Sequence, residues 1–425
     1  MEKVKLGDIA TSIQTGPFGS QLHQSDYSDT GIPVVMPKNM VEGKIVEQSI
    51  ARVSEYHINR LKRHKVSVGN IIYARRGDVG RCVLVTEKEN GWLCGTGCFK
   101  VSIDLQKANP TFVFYQLQKP ATIGWVEKHA VGATMPNLNT SILECVPLEL
   151  PNLQTQNKIV NILSAYDSLI ENNNKRIKLL ENMAMEIYKE WFVRFRFPNY
   201  KNTEFKNSEL GKIPTTFNVL KANEVFEYYV GGGWGNDEYT EEYPVDAYVI
   251  RGADFPLVKR SNVSSCPYRY HKTSNYKSRK LRVNDLVFEI SGGTAEQPVG
   301  RTVLITQGIL DQLSDKVICA SFCKLIRPDF TKVTANYLYY WFQFLYDTRM
   351  IEKFQLQSTG IINFKFDFFL RKGPILVPTL ELMNEFEKHI IPIRKEIDKL
   401  AIQNQNLIRQ RDALLPRLMS GRLAV

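Results

Sequence analysis

The chain switches between two hydrophobic periods, and it does so twice. Short runs rich in Val, Ile, Tyr and Phe come first, separated by Gly and Asn, and they predict strands. Residues 34–36, 70–74, 81–86 and 99–103 are examples, with one short helix expected at 110–118. The period then changes. Apolar residues recur at Ile159, Leu163, Tyr166, Ile170, Ile177, Leu180, Ala184, Ile187 and Trp191, broken only by Asn173. Sustained spacing of about 3.5 residues is the signature of a coiled coil. Strands follow again, then a helix at 334–345. A last stripe falls at Phe386, Ile390, Ile393, Ile397, Leu400, Leu407 and Leu414, interrupted by Asn404 and Arg411. Proline is unfavourable inside a helix, so the second long helix is expected to start or kink at Pro392.

The two halves are also related residue by residue. VKLGDIATSIQTGPFGS, from Val4, matches VLKANEVFEYYVGGGWGN, from Val219. Cys94 and Cys98 match Cys319 and Cys323, and Pro147 and Pro151 match Pro374 and Pro378, at one offset of about 225 residues. Shared order at a nearly constant offset marks a tandem duplication. The expected fold is α+β: two mixed α/β units separated by a long antiparallel two-helix coiled coil. The expected boundaries are 1–150, a helix at 151–197, a polar connector at 198–214, a second unit at 215–378 and a helix at 379–425.

The two interrupting asparagines predict a register. Asn173 sits at a d-type position and Asn404 at an a-type position, and antiparallel helices match a with d. Setting them opposite pairs Ile170 with Leu407, Ile177 with Leu400, Leu180 with Ile397 and Ile187 with Ile390. A lone buried amide costs roughly 1–3 kcal/mol, so pairing two offsets much of that and pins the alignment. The stripe from Ile159 to Trp191 would span about 48 Å at ~1.5 Å per residue, enough to act as a ruler between two units. A surface helix packed on its own domain is the alternative.

Composition narrows the function. The chain has 425 residues with 43% hydrophobic content, ordinary for soluble globular domains. No membrane span or signal peptide is visible, so a cytoplasmic location without a membrane partner is expected. Seven cysteines do not suggest a disulfide framework. A net charge of +11 favours a polyanionic partner, with nucleic acid the commonest.

The cations are clustered. Residues 255–282 hold eight Lys or Arg, among them Arg269, Lys272, Lys277 and Arg279, with no Asp or Glu and with three Tyr interleaved. The matching stretch of the first copy holds Arg52, Arg60, Lys62, Arg63 and Lys65 against Glu55 alone. Phosphate neutralisation needs such patches. A solvated charged face is the bland alternative. Gly16-Pro-Phe-Gly-Ser20 and Gly231-Gly-Gly-Trp-Gly-Asn236 form a second repeated feature, whose glycines could admit a ligand to the backbone. Arg75-Arg-Gly-Asp-Val-Gly-Arg81 is a tight turn suited to a groove, and the second copy differs most at this place. The candidate DNA-binding residues are Phe18, Ser20, Gln21, Lys38, Arg63, Arg75, Arg76, Trp234, Asn236, Arg251, Arg269, Lys272, Lys277 and Arg279.

Catalytic motifs are missing. There is no phosphate-binding Walker run, no amino-methyltransferase motif and no nuclease signature in the sequence. The two Cys-x3-Cys spacings lack company for a metal site. Residues four apart on a strand share a face, so these cysteines are expected to be buried small hydrophobes. No catalytic or metal residue is assigned. A stand-alone modification enzyme and a protein-binding scaffold remain the competing functions.

Several stretches resemble the specificity subunit of type I restriction-modification systems. They are Leu150-Pro-Asn-Leu-Gln-Thr-Gln156, Lys189-Glu-Trp-Phe-Val-Arg-Phe-Arg-Phe-Pro198, Ser208-Glu-Leu-Gly-Lys-Ile-Pro214 and Leu414-Leu-Pro-Arg-Leu-Met-Ser-Gly-Arg-Leu423. The likeness covers essentially the whole chain. It implies a non-enzymatic subunit with two target-recognition domains, each reading half of a split site in double-stranded DNA. It also implies that the coil docks two modification subunits and that restriction subunits join for cleavage. No cofactor of its own is implied, since S-adenosylmethionine would sit on the modification subunits. One departure is Phe217, where the family usually has Trp a few residues after the connector; a change in a packing residue is expected to be mild.

Overall fold

A computed structural model describes the chain apart from residues 42, 133–135, 295, 359–360 and 424. The chain divides into two compact units, one of Met1–Ser168 with Ile408–Val425 and one of Leu169–Leu407. Among the described residues, no helix is long and apolar enough to cross a membrane.

In the first unit a four-stranded sheet runs in the order Ala10–Thr15, Cys98–Ile103, Ile71–Ala74, Cys82–Leu84. Every pairing in it is antiparallel. In a second sheet Ile32–Val35 lies parallel to Leu93–Cys94. Glu2–Lys5 pairs antiparallel with Pro147–Leu150. The run Ile71–Ala74 is apolar throughout because both its faces are covered. Ile71 and Tyr73 join Phe99 and Phe112 on one side, while Ile72 and Ala74 join Val35, Cys94 and Cys98 on the other. The helix Pro110–Leu117 starts where the Asn109 side chain accepts the amides of Thr111 and Phe112.

The second unit repeats this plan. Its four-stranded sheet is Phe226–Gly231, Cys323–Pro328, Leu286–Glu289, Thr302–Leu304. Val245–Ile250 lies parallel to Val317–Cys319, and Asn218–Lys221 pairs with Pro374–Val377. The duplication of sequence is therefore a duplication of topology. Helices Pro120–His129 and Thr140–Glu144 add to the single short helix expected in the first copy.

The paired cysteines differ from expectation in one respect. They are buried, but they do not share a strand. Cys94 ends one strand and Cys98 begins another, and the chain turns between them at Gly95-Thr-Gly97. Cys319 and Cys323 are divided in the same way. Burial pushes the Cys82 and Cys319 thiols up to about 12, which suits inert packing groups. Among the described residues no cluster has the make-up of a metal site.

The two long helices are Leu153–Tyr188 and Leu380–Met419. In the second unit Asn173 Nδ2 donates to Asn404 Oδ1 at 3.0 Å. Asn174 and Gln403 complete the layer, at 3.0 and 3.2 Å. An amide has two donor hydrogens and an oxygen to satisfy, so one partner each would not suffice. Farther along, Arg176 meets Glu396 at 2.9 Å and the Tyr188 and Phe386 rings lie 6.2 Å apart. Residue numbers rise on one helix as they fall on the other, so the pair is antiparallel. In the first unit Arg411, the other interruption, pairs with Asp167 at 2.7 Å.

Of the start or kink expected at Pro392, the start does not occur, because the proline lies inside the helix Leu380–Met419. Its neighbours on the buried face, Ile390, Ile393 and Ile397, are well packed, while Pro392 and Lys388 are exposed. The Lys388 carbonyl that loses its donor can therefore bond to water. The polar connector contains regular structure. Phe205–Ser208 and Gly211–Pro214 form a hairpin. Phe217 is fully buried against Phe192, Phe195 and Phe197, the packing role expected of it.

His64 is another buried polar group that bears on stability. It ends the turn Lys62–His64 and accepts from Arg63 Nε at 3.0 Å. Burial, then the charges of Arg63 and Lys100, lower its pKa to about 4.

Two outcomes follow from this packing. Asn173→Leu should lower stability in urea by roughly 1–2 kcal/mol, and Asn173→Leu with Asn404→Leu should cost less than the two single changes added; strict additivity would show that the amides are not coupled. His64 is held neutral when folded and takes a proton more readily when unfolded. Its contribution is thus complete above about pH 6.5 and is lost as pH falls toward 4. His64→Gln should flatten that part of the melting-temperature profile, and an unchanged profile would count against the buried neutral form.

Candidate nucleic-acid interface

Three backbone segments cross at one end of the four-stranded sheet in each unit. In the first, Gly16 N–H donates to Cys98 O at 2.8 Å, Arg75 N–H to Gly97 O at 2.7 Å and Thr96 Oγ1 to Pro17 O at 3.0 Å. In the second, Gly232 N–H donates to Cys323 O, Gly233 N–H to Cys319 O and Ile290 N–H to Phe322 O, all at 2.9 Å. A Cβ on Gly16 would stand 2.0 Å from Gly95 O, and one on Gly232 would stand 2.1 Å from Ala320 O. These two glycines are required by the chain's own crossing. That corrects the reading in which they make room for a ligand.

A fourth segment joins each crossing, and sequence reasoning missed it. Leu138 N–H donates to Arg75 O at 2.9 Å, and Phe364 N–H to Ile290 O at 2.8 Å. Arg76 bridges to Asn137, as Ser291 pairs with Asn363. The shared Asn at the duplication offset was the available signal.

In the first unit this frame brings several candidate residues together. Phe18 is half exposed, and the Arg75 guanidinium lies 5.8 Å from its ring centre. Gln21 Oε1 accepts the Phe18 amide at 3.2 Å, which shapes the turn that also carries the exposed Ser20. Arg75 Nε donates to Leu138 O at 3.2 Å, leaving its other nitrogens for a ligand. Burial, then the adjacent Arg76 charge, lower the Arg75 pKa, so an anion placed between the two would relieve a repulsion. Lys38 is exposed on the turn Pro37–Asn39, and the Pro37 ring comes 3.5 Å from the place a Cβ on Gly97 would take. Arg63 is exposed on a turn that Lys100 holds through Lys65 O at 3.0 Å.

The second unit uses the same frame with different chemistry. The Arg269 guanidinium stacks 4.3 Å from the Trp234 ring centre. Arg279 Nε donates to Gly231 O at 2.9 Å, which props the glycine-rich segment from below. Asn236 and Tyr270 exchange backbone hydrogen bonds at 2.8 and 2.9 Å. This bridge lays residues 236–243 across the strand Tyr268–His271. Asp237 thereby forms an ion pair with Arg269, and Glu242 with Lys272. Lys277 is exposed on the helix Thr273–Arg279.

Two points differ from a count of charges along the chain. The basic stretch 255–282 looked unopposed, yet Asp237 and Glu242 reach it from the neighbouring segment. Arg251 is taken up inside the unit: it grips the buried Asp254 through Nε at 2.9 Å and Nη2 at 2.8 Å and donates to Ser265 O at 2.9 Å. In the loop that follows Ser291, residue 295 lies outside the described residues, and Arg301 Nε is bonded to Glu289 at 2.8 Å.

Known proteins share this organisation. Residues 1–182 match the family described as Type I restriction modification DNA specificity domain. The type I restriction enzyme MjaIX specificity subunit of Methanocaldococcus jannaschii is 23% identical over 431 residues, covering 100% of this chain and 93% of the relative. The HindI specificity subunit of Haemophilus influenzae is 23% identical over 471 residues, covering 99% of both chains. The crystal structure of a type I restriction-modification S subunit from M. genitalium has the same fold, with a TM-score of 0.57, 14% identity and coverage of 98% of this chain and 95% of that one. Residues 1–182 thus match a type I restriction-modification DNA specificity domain, and the chain over its whole length is similar to type I restriction enzyme specificity subunits.

Proposed function

We propose that this chain is the sequence-reading, non-catalytic subunit of a type I restriction-modification complex. Each unit reads one half of a bipartite target in double-stranded DNA. The observation that carries this reading is the same backbone crossing built twice with different side chains on it. A duplicated reader with identical side chains would recognise the same bases twice. Here the first unit presents Arg75 and Arg76, and the second presents Trp234 backed by Arg269. Guanidinium groups suit guanine O6 and N7 and the phosphates, and aromatic rings suit sugars and bases.

The remaining roles fall to partners. The paired long helices set the spacing of the half-sites and dock two modification subunits. Those subunits bind S-adenosylmethionine and carry out methylation, and restriction subunits join them for cleavage.

Mapping methylated sites in cells carrying the chain and its partners should return one split motif with a constant gap. Arg75→Ala with Arg76→Ala should relax one half of that motif and leave the other intact, at ~1–3 kcal/mol for each lost base contact. Equal weakening on every sequence would instead assign both arginines to phosphates. Asp237→Asn with Glu242→Gln frees Arg269 and Lys272. The plot of log affinity against log salt should then steepen, by about 0.9 for each phosphate gained. A slope equal to that of the unaltered protein would show that these acids do not compete with DNA.

A further inference from the structure

Phe322 is the most exposed phenylalanine among the described residues, at 65%. A single exposed ring on a surface needs no explanation. Its place in the fold is what sets this one apart. Phe322 belongs to the turn between Val317–Cys319 and Cys323–Pro328, and that turn is pinned on three sides. Cys323 N–H closes it on Ala320 O at 2.8 Å, and Ile290 N–H holds Phe322 O at 2.9 Å. Gly232 and Gly233 bond to Cys323 O and Cys319 O, with Ala320 O where a Cβ on Gly232 would go. The ring is therefore carried by a rigid frame at the centre of the proposed interface.

The first unit has Gly97 at this place, with φ +84° and no side chain. The partner of Gly97 O is the amide of Arg75, whereas the partner of Phe322 O is the amide of Ile290. Polarity is thus exchanged at one point of a shared frame: a guanidinium in one unit, apolar groups in the other. The nearby charge suits a polyanion, since Arg279 donates to Gly231 O and Arg269 covers Trp234. Trp234 has one face occupied in this way, whereas the Phe322 ring is 65% exposed among the described residues. The apolar feature that a base pair shows in the major groove is the 5-methyl group of thymine.

We infer that Phe322 is a specificity-determining residue that packs on a thymine methyl group in the half-site of the second unit. This rests on the DNA-reading function proposed above. The half-site is assigned first, as the one left intact when Arg75 and Arg76 are changed. Each of its thymines is then replaced by deoxyuridine, and binding by the full chain with its partner subunits is measured. The unaltered protein should lose about fourfold in affinity at one position, the value of one buried methyl group. Phe322→Gly, the residue of the first unit, should bind deoxyuridine and thymine there equally well, and Phe322→Leu should keep part of the preference. Deoxyuridine in the other half-site should affect all three proteins alike.

A half-site without thymine overturns the inference. So does a protein with Phe322→Gly that still prefers thymine, or an unaltered protein indifferent to deoxyuridine at every position. Loss of specific binding to any duplex would instead sink the DNA-reading function itself. Phe322→Leu should melt with the parent because the ring is exposed, and Phe322→Gly should melt slightly lower because glycine gives up more backbone freedom on folding.

Discussion

Everything in the second unit leans on the register of two long helices, and a buried amide layer holds that register. Apolar layers repeat along a coiled coil, so several alignments would bury similar areas. Asn173 and Asn404 remove that freedom, because sliding either one would bury an amide opposite a hydrocarbon side chain. With the layer in place, Ile177 and Ala184 on one helix and Ile390, Ile397 and Leu400 on the other enter one core. Tyr188 and Phe386 then lead the helix pair into the aromatic centre of the unit, where Tyr337, Tyr340 and Phe192 surround them. Specificity of alignment here comes from a polar cost that one arrangement avoids.

A second constraint separates stability from recognition. The crossing of three segments is held by backbone hydrogen bonds and by glycines that have no room for a Cβ. None of those bonds depends on which side chain the loops carry. Gly97 in one unit and Phe322 in the other therefore sit in turns closed by the same hydrogen bond, although Gly97 has a positive φ and Phe322 does not. A reader built this way can change its bases by changing loop residues while its sheet and core stay as they are. The Lys272–Glu242 pair is exposed on both sides, and such a pair is weak; Arg269 is buried and only its partner Asp237 is exposed.

Much of the architecture was legible in the linear chain. The duplication showed in the offset between Cys94 and Cys319, and the helices showed in a stripe of period 3.5. The asparagine register was legible because two polar interruptions in apolar stripes can be matched by arithmetic alone. Signals that span sequence-distant segments were not. Asp237 and Glu242 lie outside the basic stretch they neutralise, and only the pairing of Asn236 with Tyr270 brings them to it. The helix passes through Pro392 because that position faces water, which the proline itself does not reveal.

By itself, then, the sequence determined the two related units, the long helices between and after them, the register of those helices and the absence of recognisable catalytic motifs. These features rest on local period and on repetition, and both are written along the chain. Only the tertiary structure decided which cations stand open and which are bound internally, why Gly16 and Gly232 must be glycines, and that Phe322 is held out at the crossing. Those facts depend on which segments meet in space. Backbone contacts between strands far apart in number set them, and no window of the sequence contains both sides of such a contact.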